Sequence, residues 1–123
     1  MTTRGNAFAP YSKAHRRRDI VELPAEGCDL PVPKPPPIRV WSTEERAIWR
    51  ELWRSPQATQ WDDSLRLAVA MYVAHAADVL RGTGSATQAT EARQLADSLG
   101  LTPYGMARLG WTIAGAESGE ASC

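Results

Sequence analysis

The chain has 123 residues, 43% of them hydrophobic and 23% charged, which is material for one packed domain and no more. Fourteen Lys and Arg balance fourteen Asp and Glu, which excludes a bulk attraction to nucleic acid or to a membrane surface. The zero hides an asymmetry: residues 1–40 carry seven basic and four acidic side chains, a net of +3, and residues 41–123 carry seven basic and ten acidic, a net of −3.

Residues 1–40 hold seven of the nine prolines, among them Pro31, Pro33 and Pro35-Pro36-Pro37. Proline fixes φ, removes a donor and keeps its predecessor out of the helical region, so this stretch is expected to be a disordered, Pro-rich basic arm with polyproline-II geometry near Leu30–Pro37. Its cluster Lys13, Arg16, Arg17 and Arg18 has the chemistry of a sequence-neutral phosphate contact. Asp19-Ile20-Val21-Glu22 follows the arginines in place of the apolar segment a secretory leader would need. Cys28 and Cys123 fall in expected flexible flanks and make no disulfide framework.

Regular structure is expected from residue 41 to residue 113. Ser42 with Glu45 three residues on has the form of a capping box. Ala47, Ile48, Trp49, Leu52 and Trp53 then follow helical spacing, and Ser55-Pro56 ends the helix near Arg54. Asp62 or Asp63 caps a second helix over residues 64–81, in which Leu65, Ala68, Val69, Tyr72, Val73, Ala76, Val79 and Leu80 recur at periods of three and four. Such apolar breadth marks a central core helix or a subunit interface. On the interface reading, the Ala68–Val79 region, with Val69 and Val73 in it, is buried in an oligomer, and Val73→Glu would dissociate the copies. Trp49, Leu52, Trp53 and Trp61 are the expected anchors between the first helix and the second.

Gly82-Thr83-Gly84 breaks the second helix. Ser85 with Gln88 starts a third, expected to run to about Leu99, with Gly100 as its left-handed terminator. Thr102-Pro103 reads as cap and first position of a short fourth helix ending near Ile113. The tail, residues 114–123, is small and polar, and no strand has a convincing period. The fold class expected is therefore all-α, a helical-hairpin bundle of about four helices behind a disordered arm. Residues 94–109 have the spacing of a helix-turn-helix, with Ala96 and Gly100 permitting a close crossing. A DNA reader presents several polar or basic side chains from its second helix, and here the candidates are Tyr104 and Arg108.

Catalytic chemistry finds little support. His75 has Met71, Tyr72 and Val79 for neighbours and reads as a core or interface histidine rather than a zinc ligand. Asp62-Asp63 reads as a cap and helix-dipole partner. Gly82-Thr83-Gly84 lacks the lysine and the preceding strand of a phosphate loop. No cofactor, metal site or enzymatic activity is expected, and no run of about 18 apolar residues offers a transmembrane helix.

Three blocks carry a family resemblance. They are Leu23-Pro24-Ala25-Glu26-Gly27-Cys28 with Pro31-Val32-Pro33, the stretch from Trp49 to Trp61, and Glu91-Ala92-Arg93 with Leu99 to Pro103 and Leu109-Gly110-Trp111. Over roughly residues 20–113 the chain resembles the small terminase subunits of actinobacterial phages and prophages. The resemblance implies a ring-forming component of DNA packaging in the cytoplasm of the bacterial host. Its implied partners are double-stranded viral DNA and the large terminase subunit, which carries the ATPase and nuclease. A dimeric helix-turn-helix transcription regulator is the alternative, and a scaffolding or adaptor protein is a third reading. On the packaging reading the arm supplies most of the DNA affinity, while Tyr104 and Arg108 contribute little.

Overall fold

In the computed structural model, which describes residues 19–115, Ser42 and Glu45 form the expected capping box. The Ser42 hydroxyl accepts from the Glu45 amide at 3.0 Å, and the Glu45 carboxylate accepts from the Ser42 amide at 2.9 Å. Helix α1 (Thr43–Trp53) buries Glu45, Trp49 and Trp53, which at spacing i, i+4, i+8 lie on one face. Ala47, expected on this stripe, is exposed, and Leu52 is half-buried. Pro56 ends the regular helix by removing a donor, and the chain continues as a 3-10 turn, Pro56–Gln60, that buries Gln57 and Ala58.

Asp62 caps the next segment by accepting from the Ser64 amide. A second 3-10 turn, Asp63–Leu65, feeds helix α2 (Arg66–Arg81), so the long helix starts two residues later than its apolar pattern implies. Gly82 ends it at φ +88. Ser85 and Gln88 complete a second capping box for helix α3 (Ala86–Ser98). Thr102 caps helix α4 (Pro103–Leu109) by accepting from the Gly105 amide at 2.9 Å.

The core gathers around three packed indoles. Trp53 lies 5.6 Å from Trp49 with the rings tilted by 51°, and meets Trp61 edge-on at 5.1 Å, the T-shaped geometry that aromatic quadrupoles favour. Leu23, Trp61, Val69 and Val73 are fully buried, with Leu99 close behind. Val69 and Val73 thus belong to the chain's own core rather than to a contact between copies. The interface reading of Val73→Glu is corrected accordingly, because a charge there would be desolvated inside one protomer.

Two expectations about the ends are also corrected. Within the described residues the arm does not extend to residue 40 as an unpacked segment. Leu23 and Cys28 are in the core, the Trp49 indole donates to the Pro33 carbonyl at 2.7 Å, and the Trp41 indole donates to the Pro36 carbonyl at 2.8 Å. Proline lacks a donor but keeps its carbonyl, and an indole N–H is the matching partner. The fourth helix stops at Leu109 rather than Ile113, because Gly110 turns left-handed (φ +76). The next three residues form strand β2 (Trp111–Ile113), which pairs in parallel with strand β1 (Val21–Leu23) in the register Val21↔Trp111, Glu22↔Thr112, Leu23↔Ile113. Both strands are three residues long, too short to show a period of two in sequence. Among the described residues the fold is thus mostly helical, with one strand pair that the sequence does not announce.

The α3–α4 crossing tests how much of this packing is obligatory. A Cβ on Gly105 would sit 2.2 Å from the Asp97 carbonyl oxygen, whereas one on Gly82 meets nothing within 4 Å. Gly105→Ala is expected to lower stability by about 2–3 kcal/mol by overpacking. Gly82→Ala should cost about 1 kcal/mol through its left-handed backbone alone. Urea midpoints at an unchanged m-value check the order.

Candidate nucleic-acid interface

Residues 86–109 form a helix–turn–helix in the structural sense. Helix α3 ends with Leu99 and Gly100 (φ +78), and the Leu101 amide closes the turn onto the Ala96 carbonyl at 2.9 Å. The Thr102 hydroxyl donates to the Asp97 carboxylate at 2.5 Å while accepting from the Gly105 amide, which fixes the angle at which α4 leaves. A Cβ on Gly100 would meet the Trp111 ring at 2.2 Å, so β2 packs under the turn. The Trp61 indole donates to the Leu99 carbonyl at 3.0 Å and holds the same turn from the core side.

What this motif presents outward is sparse. Its second helix has seven residues, about 10 Å of length. Tyr104 and Arg108 are exposed, and the Arg108 guanidinium lies 5.7 Å from the Tyr104 ring centroid, within cation–π reach. Pro103 and Ala107 complete the exposed positions and offer no side-chain hydrogen bond. One arginine and one phenol fall short of the several base-contacting side chains of a reading helix.

Lys13, Arg16, Arg17 and Arg18 lie outside the described residues. The point where their segment joins the body is described. The Val21 amide donates to the Gly110 carbonyl at 2.8 Å, and the Ala114 amide donates to the Leu23 carbonyl at 2.8 Å. The Asp19 carbonyl oxygen lies 3.4 Å from where a Cβ on Gly110 would be. The root of the arm is therefore held at the C-terminal end of α4, one residue beyond its last turn.

The remaining candidates serve packing. Trp49, Trp53, Trp61, Val69 and Val73 are core, with Leu52 at its edge. His75 is half-buried between α2 and α3. Its Nδ1 is 3.2 Å from the Gln88 amide nitrogen, which also donates to Asp78 at 2.9 Å. Gln88 thus caps α3 and ties it to α2.

One cluster escapes sequence reasoning altogether. Glu45, 2% exposed, receives Arg39 at 3.3 Å and Arg81 at 3.5 Å, while Arg39 also stacks on Trp41 at 4.7 Å. The capping signal identifies Glu45, yet nothing local foretells that two arginines, one upstream and one at the far end of α2, share its carboxylate. Beside this cluster an open groove of about 400 Å³ is lined by Glu44, Ile48, Ala77, Leu80 and Arg81. Leu67, Met71 and Leu80 leave apolar side chains exposed on α2. Among the described residues no helix is long and apolar enough to cross a membrane.

Comparison with known proteins bears on the whole chain. No curated protein and no solved structure matches it. A family model described as phage terminase small subunit matches residues 3–122. The blocks quoted above for the resemblance are the ones the fold uses as joints: Gly27 against the Arg54 carbonyl, Trp61 on Leu99, and Gly100 against Trp111. On the extent of that match, the chain belongs to the phage terminase small subunit family.

Proposed function

We propose that this chain is the non-catalytic, DNA-engaging subunit of a phage packaging machine, acting in the cytoplasm of the host cell. It assembles as a homo-oligomeric ring and recruits or regulates the large terminase subunit, which supplies the ATPase and nuclease. The observation that carries this reading is the family match over residues 3–122. Charge supports assigning DNA to the arm. Residues 1–18 hold five basic side chains and no acidic one, so their attraction to phosphate is undiluted. The body is net acidic, and α4 contributes one arginine to its surface. Repeating the arm around a ring multiplies its weak contacts into avidity.

Exposed apolar side chains support assembly. Leu67 and Met71 stand one helical turn apart on α2, at 60% and 52% exposure, and Leu80 is 78% exposed beside the groove. The Leu67–Met71 pair shares one face of α2 and supports a protein contact there, while Leu80 lies on the opposite side of the helix.

Three outcomes are expected. Deleting residues 1–18 weakens duplex DNA binding and lowers the salt slope by up to about four, read from affinities across a salt series; an unchanged slope assigns the contacts to the body. Native mass spectrometry shows an oligomer for the intact chain, and Leu67→Glu with Met71→Glu shifts it toward monomer while circular dichroism keeps its helical signal; a clean monomer of the intact chain removes the ring. The pure chain hydrolyses neither ATP nor DNA but alters the ATPase rate of its large subunit. Metal-dependent cleavage lost on substituting Asp62 and Asp63 would overturn the non-catalytic reading.

A further inference from the structure

The net acidity of residues 41–123 conceals how α1 sorts its charges. Arg46, Arg50 and Arg54 recur at every fourth position and all three are exposed, Arg54 as the C-cap residue. At that spacing they line one flank of the helix, about 6 Å apart from turn to turn and about 12 Å from first to last. The exposed carboxylates Glu44 and Glu51 stand off this row, since neither lies three or four residues from Arg46 or Arg50. Glu51 stands three residues before Arg54, yet among the described residues none of the three arginines makes an ion pair. Arg39 and Arg81, by contrast, both close on Glu45. Arg46 gives its Nε to the Trp41 carbonyl at 3.3 Å and keeps its terminal nitrogens free of protein partners.

Fold stability does not ask for this pattern. Like charges four residues apart on a helix repel. The helix dipole favours cations at the C-terminal end, which accounts for Arg50 and Arg54, but it disfavours one near the N-terminus, where Arg46 stands four residues after the Ser42 cap.

We infer that Arg46, Arg50 and Arg54 form a DNA contact on the body itself, a row of cations on α1 that lies along the phosphate backbone of a duplex. This rests on the DNA-binding reading above and adds to it a surface fixed on a rigid helix, separate from the arm. A duplex carries one phosphate charge per about 1.7 Å of axis, so a row about 12 Å long has several phosphates beside it in any register. Such contacts position a protein without reading sequence. The other exposed positions of this side, Thr43 and Ala47, offer no aromatic ring for the stacking that single strands use, because Trp49 and Trp53 are buried. Nor do they offer the large anchors that hold a protein partner. Exposed Glu26 and Asp29 flank the Cys28 amide, which bonds the Arg54 carbonyl at 3.0 Å, so Arg54 is the weaker end of the row.

Two paired substitutions in the full-length chain separate charge from shape. Arg50→Gln with Arg54→Gln removes two cations and leaves the bond from Arg46 to Trp41 untouched. Duplex affinity, measured across a salt series, is expected to fall about tenfold at low salt, with a salt slope smaller by between about one and two. Arg50→Lys with Arg54→Lys keeps both charges and should bind within about twofold of the parent at the parent slope, since lysine meets phosphate as a point charge. Circular dichroism should be unchanged and the urea midpoint no lower in either variant. If the intact chain binds duplex and the glutamine pair leaves affinity within about twofold and the slope unchanged, the row on α1 is overturned while DNA binding stands. If the lysine pair loses as much affinity and slope as the glutamine pair, charge is not what the arginines supply and the phosphate contact is overturned. An intact chain that binds no duplex overturns the DNA reading and this inference together.

Discussion

The structure depends on indole N–H groups reaching the carbonyls of segments that have no regular secondary structure of their own. A backbone carbonyl buried without a partner is costly, and a proline-rich stretch or a helix–helix turn has few amides to offer. Trp49 serves Pro33, Trp41 serves Pro36, and Trp61 serves Leu99. Each ring also carries a large apolar area into a small core. Two needs of a short chain, filling space and holding its irregular segments, are met by the same residues.

Those bonds explain why the protein is more than a helical hairpin. Trp61 fixes the turn between α3 and α4 from the core side, and Trp111 packs under Gly100 from the other. With the turn held, Gly110 can reverse the chain and present β2 to β1. Val21 and Trp111 are thereby joined, and the proline strap between β1 and α1 lies against α1 and α2, through Pro33 to Trp49 and Lys34 to Arg66, with Cys28 buried. The Arg39–Glu45–Arg81 cluster closes the opposite end of the α1–α2 pair. Its arginines are each about two-fifths exposed, so their pairing tells more about geometry than about stability.

The contact between copies and the DNA contact proposed above fall on different elements. The exposed apolar side chains of α2, Leu67, Met71 and Leu80, lie on one helix, whereas the root of the basic arm lies at the end of α4. Contacts between protein copies and contacts with an anionic polymer have opposite requirements, one favouring removal of apolar surface from water and the other exposed cations. On the proposed reading, distributing them over different elements lets each be built without weakening the other.

By itself the sequence determined what local chemistry controls. Ser42-x-x-Glu45 and Ser85-x-x-Gln88 capped helices where the side chains required, Gly82 and Gly100 ended them, and Thr102-Pro103 opened the last. The stripe of Trp49 and Trp53 named buried anchors, whereas the pattern of Val69 and Val73 fitted a core or an interface equally, and only packing placed them inside the protomer. Tyr104 and Arg108 were legible as surface candidates because their helix had a clear start and few polar positions. Hidden were the contacts between residues far apart in the chain. Three-residue strands carry too few positions to show alternation, so the β1–β2 pair exists only because the turn at Gly110 brings Trp111 to Val21. The docking of the Pro33 and Pro36 carbonyls depended on the indoles of Trp49 and Trp41, and the two arginines on Glu45 depended on α1 and α2 having first packed. Proximity of the arm's root to α4 was decided by tertiary structure alone, because a hydrogen bond between Val21 and Gly110 leaves no trace in either residue's neighbours.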